Sequence, residues 1–459
     1  MTDPILPQKS FLRTFLPAPL YHVAQKGGMG RMWRMLFVIG ISYSKTFFYL
    51  LRKRGLKAAW IFLAVKLFTP VGPGGAGVFW FIAGPIIRRF PSLYHFPRQI
   101  ELEISTECSK KCLHCEHTWW KPEAQVQKQL TYKEVKFIIE QFPGLRWISL
   151  VGEGSSFEHP DMLSFIKYVK EKEIMCYMVD HLSDWTDETV EAVIDNDMDG
   201  IIISLDGATK STYEKLKVGC DFDNVQKNIR KLIAAKKEKN TPIPEITFTF
   251  IAMKKNVHEI PDYVDFIASL GKRADFGAGS RIGVTRMLAF QQILHMQLDD
   301  IPQEIIDDAN ERASKHDLFI NFTGTNVRDE LPDPSCCIAW MEPYIFMPGL
   351  ISQCCAVFIS NNREFIKKYS LGDLFENDFK THWRSKPYKT LRNIINKPDQ
   401  PIPIQCAGCR VFNTLPREKK YGIMNTHTGE VFNLKEFYSH YMGDNMKWRY
   451  EDVIQELDQ

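Results

Sequence analysis

The sequence predicts an α/β protein, a partial (β/α)6 TIM-like barrel flanked by two further segments, and three observations carry that prediction. Strand-like and helix-like stretches alternate regularly from about residue 95 to about residue 285. A run of closely spaced cysteines, Cys108, Cys112 and Cys115, follows the first of those strands directly. Gly152-Glu153 and Ser204 likewise stand at the ends of later strands, the end at which β/α barrels carry their active sites.

Apolar β-rich runs place strands at Gln99–Ile104, Trp147–Val151, Met175–Val179, Ile201–Leu205, Ile246–Ala252 and near Ala274–Ala278. Between them, apolar residues at helical spacing predict helices at Tyr132–Gln141, Met162–Lys172, Thr189–Asp195, Phe222–Lys237 and Ile260–Leu270. The domains expected are 1–95, a basic and apolar helical extension; 96–290, the barrel; 291–330, a barrel-closing connection; 331–425, a cysteine-rich domain; and 426–459, a tail.

Cys108, Cys112 and Cys115 form a CxxxCxxC loop. A 4Fe–4S cube normally takes one cysteine per iron, so such a loop leaves one iron without a protein ligand. Zinc also accepts thiolates, and His114 or His117 lies close enough in sequence to complete a tetrahedral site.

The strand followed by CxxxCxxC, with the ring-bearing His114 before the third cysteine, resembles the signature of the radical S-adenosylmethionine (SAM) enzymes. The resemblance implies a 4Fe–4S cluster whose open iron chelates SAM, reductive cleavage to a 5′-deoxyadenosyl radical, and a small electron donor of flavodoxin or ferredoxin type. It extends to Gly152-Glu153, similar to the family's Gly-Gly-Glu motif with Val151 in place of the first glycine, and implies that this segment orients SAM. Ser204 and Asp206 follow the fourth strand and, by the same resemblance, contact SAM or line the cavity; a turn with a helix N-cap is the plainer role. Val179-Asp180-His181 stands where the family often has Thr-Asn-Gly, and Asp180 and His181 are expected at the cavity rim or in a solvated loop. Arg281 and Arg286 are expected beyond the sixth strand, where a carboxylate or phosphate of substrate or SAM would meet them.

A second cysteine constellation comprises Cys336-Cys337, Cys354-Cys355 and Cys406-Ala-Gly-Cys409, with a hairpin predicted around Pro348-Gly349. It resembles the Twitch or SPASM-type auxiliary-cluster domains that follow many radical SAM barrels. The resemblance implies one auxiliary iron–sulfur cluster held by Cys337, Cys354, Cys406 and Cys409, with Cys336 and Cys355 as adjacent alternatives; four thiolates suit zinc as well. No cysteine follows Cys409, which makes Twitch the nearer pattern. Cysteines assigned to clusters point to a reducing, cytoplasmic setting; Cys176 reads as a buried strand residue and Cys220 has no assigned role.

The net charge of +3 conceals an asymmetry: residues 1–100 hold 14 Lys and Arg and one acid, Asp3, whereas the remainder holds 44 basic and 54 acidic residues. The basic residues alternate with greasy runs, which suits an anionic membrane surface better than nucleic acid. Lys45 and Lys66 interrupt the apolar runs before they reach the ~18–20 residues of a membrane span. Amphipathic helices at the inner membrane face, with Trp33, Phe37, Phe47, Trp60 and Phe62 toward lipid, are therefore expected; the alternative is a helical cap on the barrel. From these features follow a lipid, isoprenoid or lipid-linked substrate, with a peptide maturase as the rival and an iron–sulfur carrier or scaffold as the reading outside enzymes.

Overall fold

The computed structural model describes residues 37–68, 96–119, 129–277, 279–287, 291–298, 300–323, 336, 338–355, 363–409 and 415–441. Strands β1 (Gln99–Glu103), β3 (Trp147–Val151), β4 (Met175–Asp180), β5 (Gly200–Ser204), β7 (Glu245–Ala252), β8 (Ile282–Arg286) and β9 (Ile320–Thr323) are parallel neighbours in one sheet. Two short strands, β2 (Lys111–Cys112) and β6 (Lys217–Val218), form a separate antiparallel pair above it. Beside β1 the sheet continues into a C-terminal hairpin, β10 (Tyr344–Phe346) and β11 (Leu350–Ser352), with β10 parallel to β1. The full order is β11-β10-β1-β3-β4-β5-β7-β8-β9.

The helices between the strands present apolar stripes to this sheet, as their periodicity requires. They are α3 (Tyr132–Glu140), α4 (Met162–Glu171), α5 (Asp187–Asp195), α6 (Lys210–Leu216), α7 (Phe222–Glu238) and α8 (Ile260–Leu270). Thr131 opens α3 with a capping box, its side chain accepting from Glu134 N–H while Glu134 accepts from Thr131 N–H. The main core runs from Ile100 and Leu102 in β1 through Ile148, Ile201, Phe248 and Val284 to the inner faces of these helices.

The sixth strand differs from the sequence prediction. Ala274 lies in a short helix, α9 (Arg273–Phe276), whose Asp275 side chain accepts from Lys272 N–H. The strand is β8, which starts at Ile282, beyond Gly277, Gly279 and Ser280.

Helix α1 (37–54) and helix α2 (Leu56–Phe68) lie beneath the amino ends of the strands. Tyr43, Leu50, Ala59, Phe62 and Val65 form one cluster with Trp147, Met175, Tyr177 and Ile243. Lys53 and Arg54 pair with Asp197 at 2.7 and 3.2 Å, and Lys66 pairs with Glu245 at 3.0 Å. Phe62, expected toward lipid, is 3% exposed and faces the barrel instead, and Phe47 is packed at the margin of that cluster. Trp33 lies outside the described residues. Among the described residues no helix is long and apolar enough to cross a membrane.

Candidate functional site

The cysteine loop leaves β1 at the carboxyl end of the sheet and is held from four directions. Gly154 N–H donates to Ser105 O at 3.1 Å and Ser155 N–H to Glu107 O at 2.8 Å. Glu158 accepts from the backbone N–H and the hydroxyl of Ser109 at 2.9 and 2.8 Å. Lys110 pairs with Asp184 at 2.7 Å. Strand β6 pairs with β2, setting Cys112 opposite Lys217. The result is a fixed loop with Cys108, Cys112 and Cys115 half-buried at its surface.

Gly152 and Gly154 are required by close approach. A Cβ on Gly152 would stand 2.7 Å from Ser105 O, and one on Gly154 would stand 2.6 Å from both Ser105 O and Glu107 O. Glu153 N–H donates to Glu103 Oε1 at 3.3 Å. Glu103 in turn takes two hydrogen bonds from Arg363, at 2.7 and 2.8 Å, and one from Met347 N–H at 2.9 Å. Arg363, at the start of α10 (Arg363–Tyr369), also lies 3.4 Å from Glu153. The C-terminal segment therefore meets Glu153 through a buried guanidinium.

Below the loop lies a second charged group. Lys217 donates to Ser204 Oγ at 2.8 Å and pairs with Asp206 at 3.2 Å. Burial alone would lower this ammonium, but Asp206 and the nearby thiols hold it above its usual value. Asp206 Oδ1 accepts from Ile251 N–H at 2.8 Å, and Oδ2 lies 3.3 Å from His114 Nε2. Burial pushes His114 down to about 4, so its ring is neutral, and its Nδ1 has no hydrogen-bond partner among the described residues. Cys112 is lowered to about 7 by a hydrogen bond with the Cys220 side chain, opposed by burial and aided by Lys217.

Several expectations change here. Asp206 is wholly buried and clamps the loop from below; it does not line an open cavity. Arg281 precedes β8 and so stands at the amino end of the sheet, beside Glu245, Tyr43 and Tyr177, a strand length from the thiols. The strand that was to carry it to the carboxyl end begins one residue after it. Arg286 is the last residue of β8 and donates to Leu298 O at 3.1 Å. Asp180 is buried in a turn, accepting from Leu182 N–H and Trp185 Nε1, whereas His181 stands at the loop rim with Glu158 and Asp184 within 4.8 Å. Glu103, Arg363, Lys217 and Cys220 were not singled out as site residues; an acid inside the buried run Gln99–Glu103 was the one local signal among them.

In the C-terminal segment, the Cys406 thiol has those of Cys354, Cys336 and Cys409 and the Arg417 guanidinium as neighbours, and burial pushes it well up. Cys337 lies outside the described residues. Cys336 is fixed by Asn396, which accepts from its N–H at 2.7 Å and donates to its carbonyl at 3.1 Å. Cys355 lies instead beside Glu101 and Glu342. Gln353 Nε2 ties this hairpin to Gln405 O at 2.7 Å, next to the Cys406–Cys409 turn.

Both donor sets fit iron–sulfur clusters. The first is three thiols on one anchored loop beside a buried cation, and the second gathers thiols from three separate stretches of chain. The SPASM family, an iron–sulfur cluster-binding domain, matches residues 336–410. Streptococcus suis SuiB shares the fold with a TM-score of 0.51 at 14% identity, over 87% of this chain and 86% of that one. The structure of anSMEcpe with bound AdoMet matches with a TM-score of 0.50 at 10% identity, over 79% of this chain and 95% of that one. A probable GTP 3′,8-cyclase of Methanococcus maripaludis is 24% identical over 177 residues, 38% of this chain. The chain spans 56% of the length of that curated relative.

A parallel β/α sheet carries a three-thiol loop at the carboxyl end of its first strand, an arrangement that resembles the radical SAM proteins. More particularly, the match at 336–410 makes that segment a SPASM domain.

Proposed function

We propose that the chain is a radical SAM enzyme that cleaves SAM at a 4Fe–4S cluster held by Cys108, Cys112 and Cys115. The observation that carries this reading is the anchored three-thiol loop, flanked by Glu153 and by the Ser204–Lys217–Asp206 group. When bound, the cluster supplies the electron that cleaves the sulfonium and releases the radical that takes hydrogen from substrate. The chain's own residues hold the loop rigid, place Gly152 and Glu153 beside it, and keep His114 neutral. Cys354, Cys406, Cys409 and a cysteine of the 336–337 pair hold one auxiliary cluster. Electrons come from a small flavodoxin- or ferredoxin-type donor.

The test is 5′-deoxyadenosine release by anaerobically reconstituted protein given SAM and dithionite. Wild-type protein releases it and Cys112→Ala does not. Wild-type protein that binds about eight irons (two cubes of four) but releases none, even with candidate substrates, would overturn the reading in favour of a carrier.

The substrate reading is a lipid-linked molecule met at an anionic membrane surface. Its support is the basic front of the chain and the exposed Phe37, Ile41, Phe48, Leu56 and Trp60, which stand among Lys45, Arg52 and Lys57 on α1 and α2. These helices lie under the amino ends of strands, about 17–20 Å of strand from the thiols. That separation favours a substrate carried up to the carboxyl face over one that reacts within the bilayer plane. Flotation with vesicles containing anionic lipid is the check: Phe48→Ser/Trp60→Ser protein should stay at the bottom of the gradient while wild type floats. Wild type that ignores such vesicles removes the lipid reading. A peptide substrate is then the next choice, favoured by the fold neighbour SuiB, solved with its precursor peptide SuiA (TM-score 0.50).

A further inference from the structure

We infer that the Cys220 thiol is the hydrogen-bond donor to the ligating sulfur of Cys112, and that this contact sets how readily the SAM-cleaving cluster is reduced. The inference rests on the cluster reading of Cys108, Cys112 and Cys115. Antiparallel pairing of β2 with β6 fixes Cys112 opposite Lys217, and Leu113 N–H extends the ladder to Leu216 O at 2.8 Å. The chain then turns back on itself. Gly219 takes a φ of 93° with the Lys110 side chain against it, and Cys220 N–H donates to Lys217 O at 2.9 Å. This turn returns Cys220 beneath the loop and places its thiol next to that of Cys112. Only 6% of Cys220 is exposed.

The direction of the hydrogen bond follows from ligation. A cysteine bound to iron is a thiolate and has no proton to give, so the S–H must come from Cys220. A donor aimed at a cluster sulfur stabilises the added negative charge of the reduced state, and hydrogen bonds to sulfur are among the levers that set cluster potentials. Lys217, buried on the same short strand, acts in the same sense. Cys220 is therefore a positioning residue that acts through Cys112. The plain alternative is a small buried filler, the role that fits Cys176.

A redox titration of the reconstituted holoenzyme followed by EPR separates the two, with the SAM cluster identified by the change SAM induces in its signal. Cys220→Ala should move the midpoint of that cluster to more negative potential. Cys220→Ser, which keeps a donor, should hold it at or above the wild-type value, and the auxiliary cluster should not move in either. Coincident midpoints in wild type, Cys220→Ala and Cys220→Ser would reduce Cys220 to filler and end the inference. A wild-type signal that never responds to SAM would instead defeat the underlying cluster reading, and the inference with it.

Discussion

Lys66 beneath the barrel and Lys217 above it are both buried, and each faces a buried carboxylate, Glu245 and Asp206 respectively. Their surroundings differ. Lys66 arrives on a helix of the N-terminal extension and stands over the rings of Tyr43 and Tyr177, in a floor that also holds Arg281. Lys217 belongs to the barrel itself and shares its carboxylate with a neutral histidine, next to a proposed cluster ligand. At the floor a second cation supports the carboxylate; at the roof, among the described residues, the thiols of Cys112 and Cys220 stand beside the pair. A buried pair of this kind is weak evidence for added stability, because desolvation offsets much of the attraction. What each pair does specify is geometry: one docks the extension, and the other fixes the cysteine loop.

Replacing each lysine by methionine should break that symmetry. Lys217→Met leaves Asp206 with Ile251 N–H and a neutral ring, an uncompensated buried charge that costs about 3–5 kcal/mol. Lys66→Met leaves Glu245 with Gly279 N–H at 3.1 Å and the field of Arg281, so its cost falls to about 1–3 kcal/mol. Urea unfolding of the cluster-free proteins measures both. Adding Asp206→Asn to Lys217→Met should recover part of the loss, as a double-mutant cycle would register. Equal losses for the two lysines, or no recovery in the double variant, would mean that the roof carboxylate has other support.

The same contrast explains what could be read from the chain beforehand. The cysteine loop was legible because ligand chemistry imposes spacing over eight residues, Cys108 to Cys115, and the Gly152-Glu153 turn because it follows a strand. Arg281 stands at the other end because the strand expected near Ala274–Ala278 is preceded by a capped helical turn at Arg273–Phe276 and begins only at Ile282. Asp206 was singled out, but nothing local distinguishes an aspartate that faces a cavity from one that faces a buried lysine. Lys217 and Cys220 reach Cys112 through a strand pair of two residues across a long stretch of chain, and Arg363 reaches Glu103 across 260 residues. Pattern reading has no access to such contacts. The choice between Cys336 and Cys337 is of the same kind: spacing tolerates either, and it is Asn396, a distant residue, that fixes Cys336 beside the thiols.

A smaller effect sharpens the account of the floor. Lys236, on α7, donates to the carbonyls of Pro244, Asp275 and Phe276 at 2.6, 3.0 and 3.3 Å. Burial pushes its ammonium down to about 7, against the attraction of Glu245 and Asp275. An unfolded lysine titrates near 10.4, so between these values the unfolded chain binds more protons than the folded one. Stability must then rise with pH across that window and lie flat below it. Between pH 7 and 9.5 the contribution is on the order of 2–3 kcal/mol. Unfolding of wild type and Lys236→Met at both pH values isolates it, since other titrations are common to the two proteins. The wild type should gain on the variant as the pH rises. Parallel behaviour would mean that the three carbonyls hold the lysine charged throughout, and that the floor tolerates three buried cations, Lys66, Arg281 and Lys236, around Glu245 without releasing a proton.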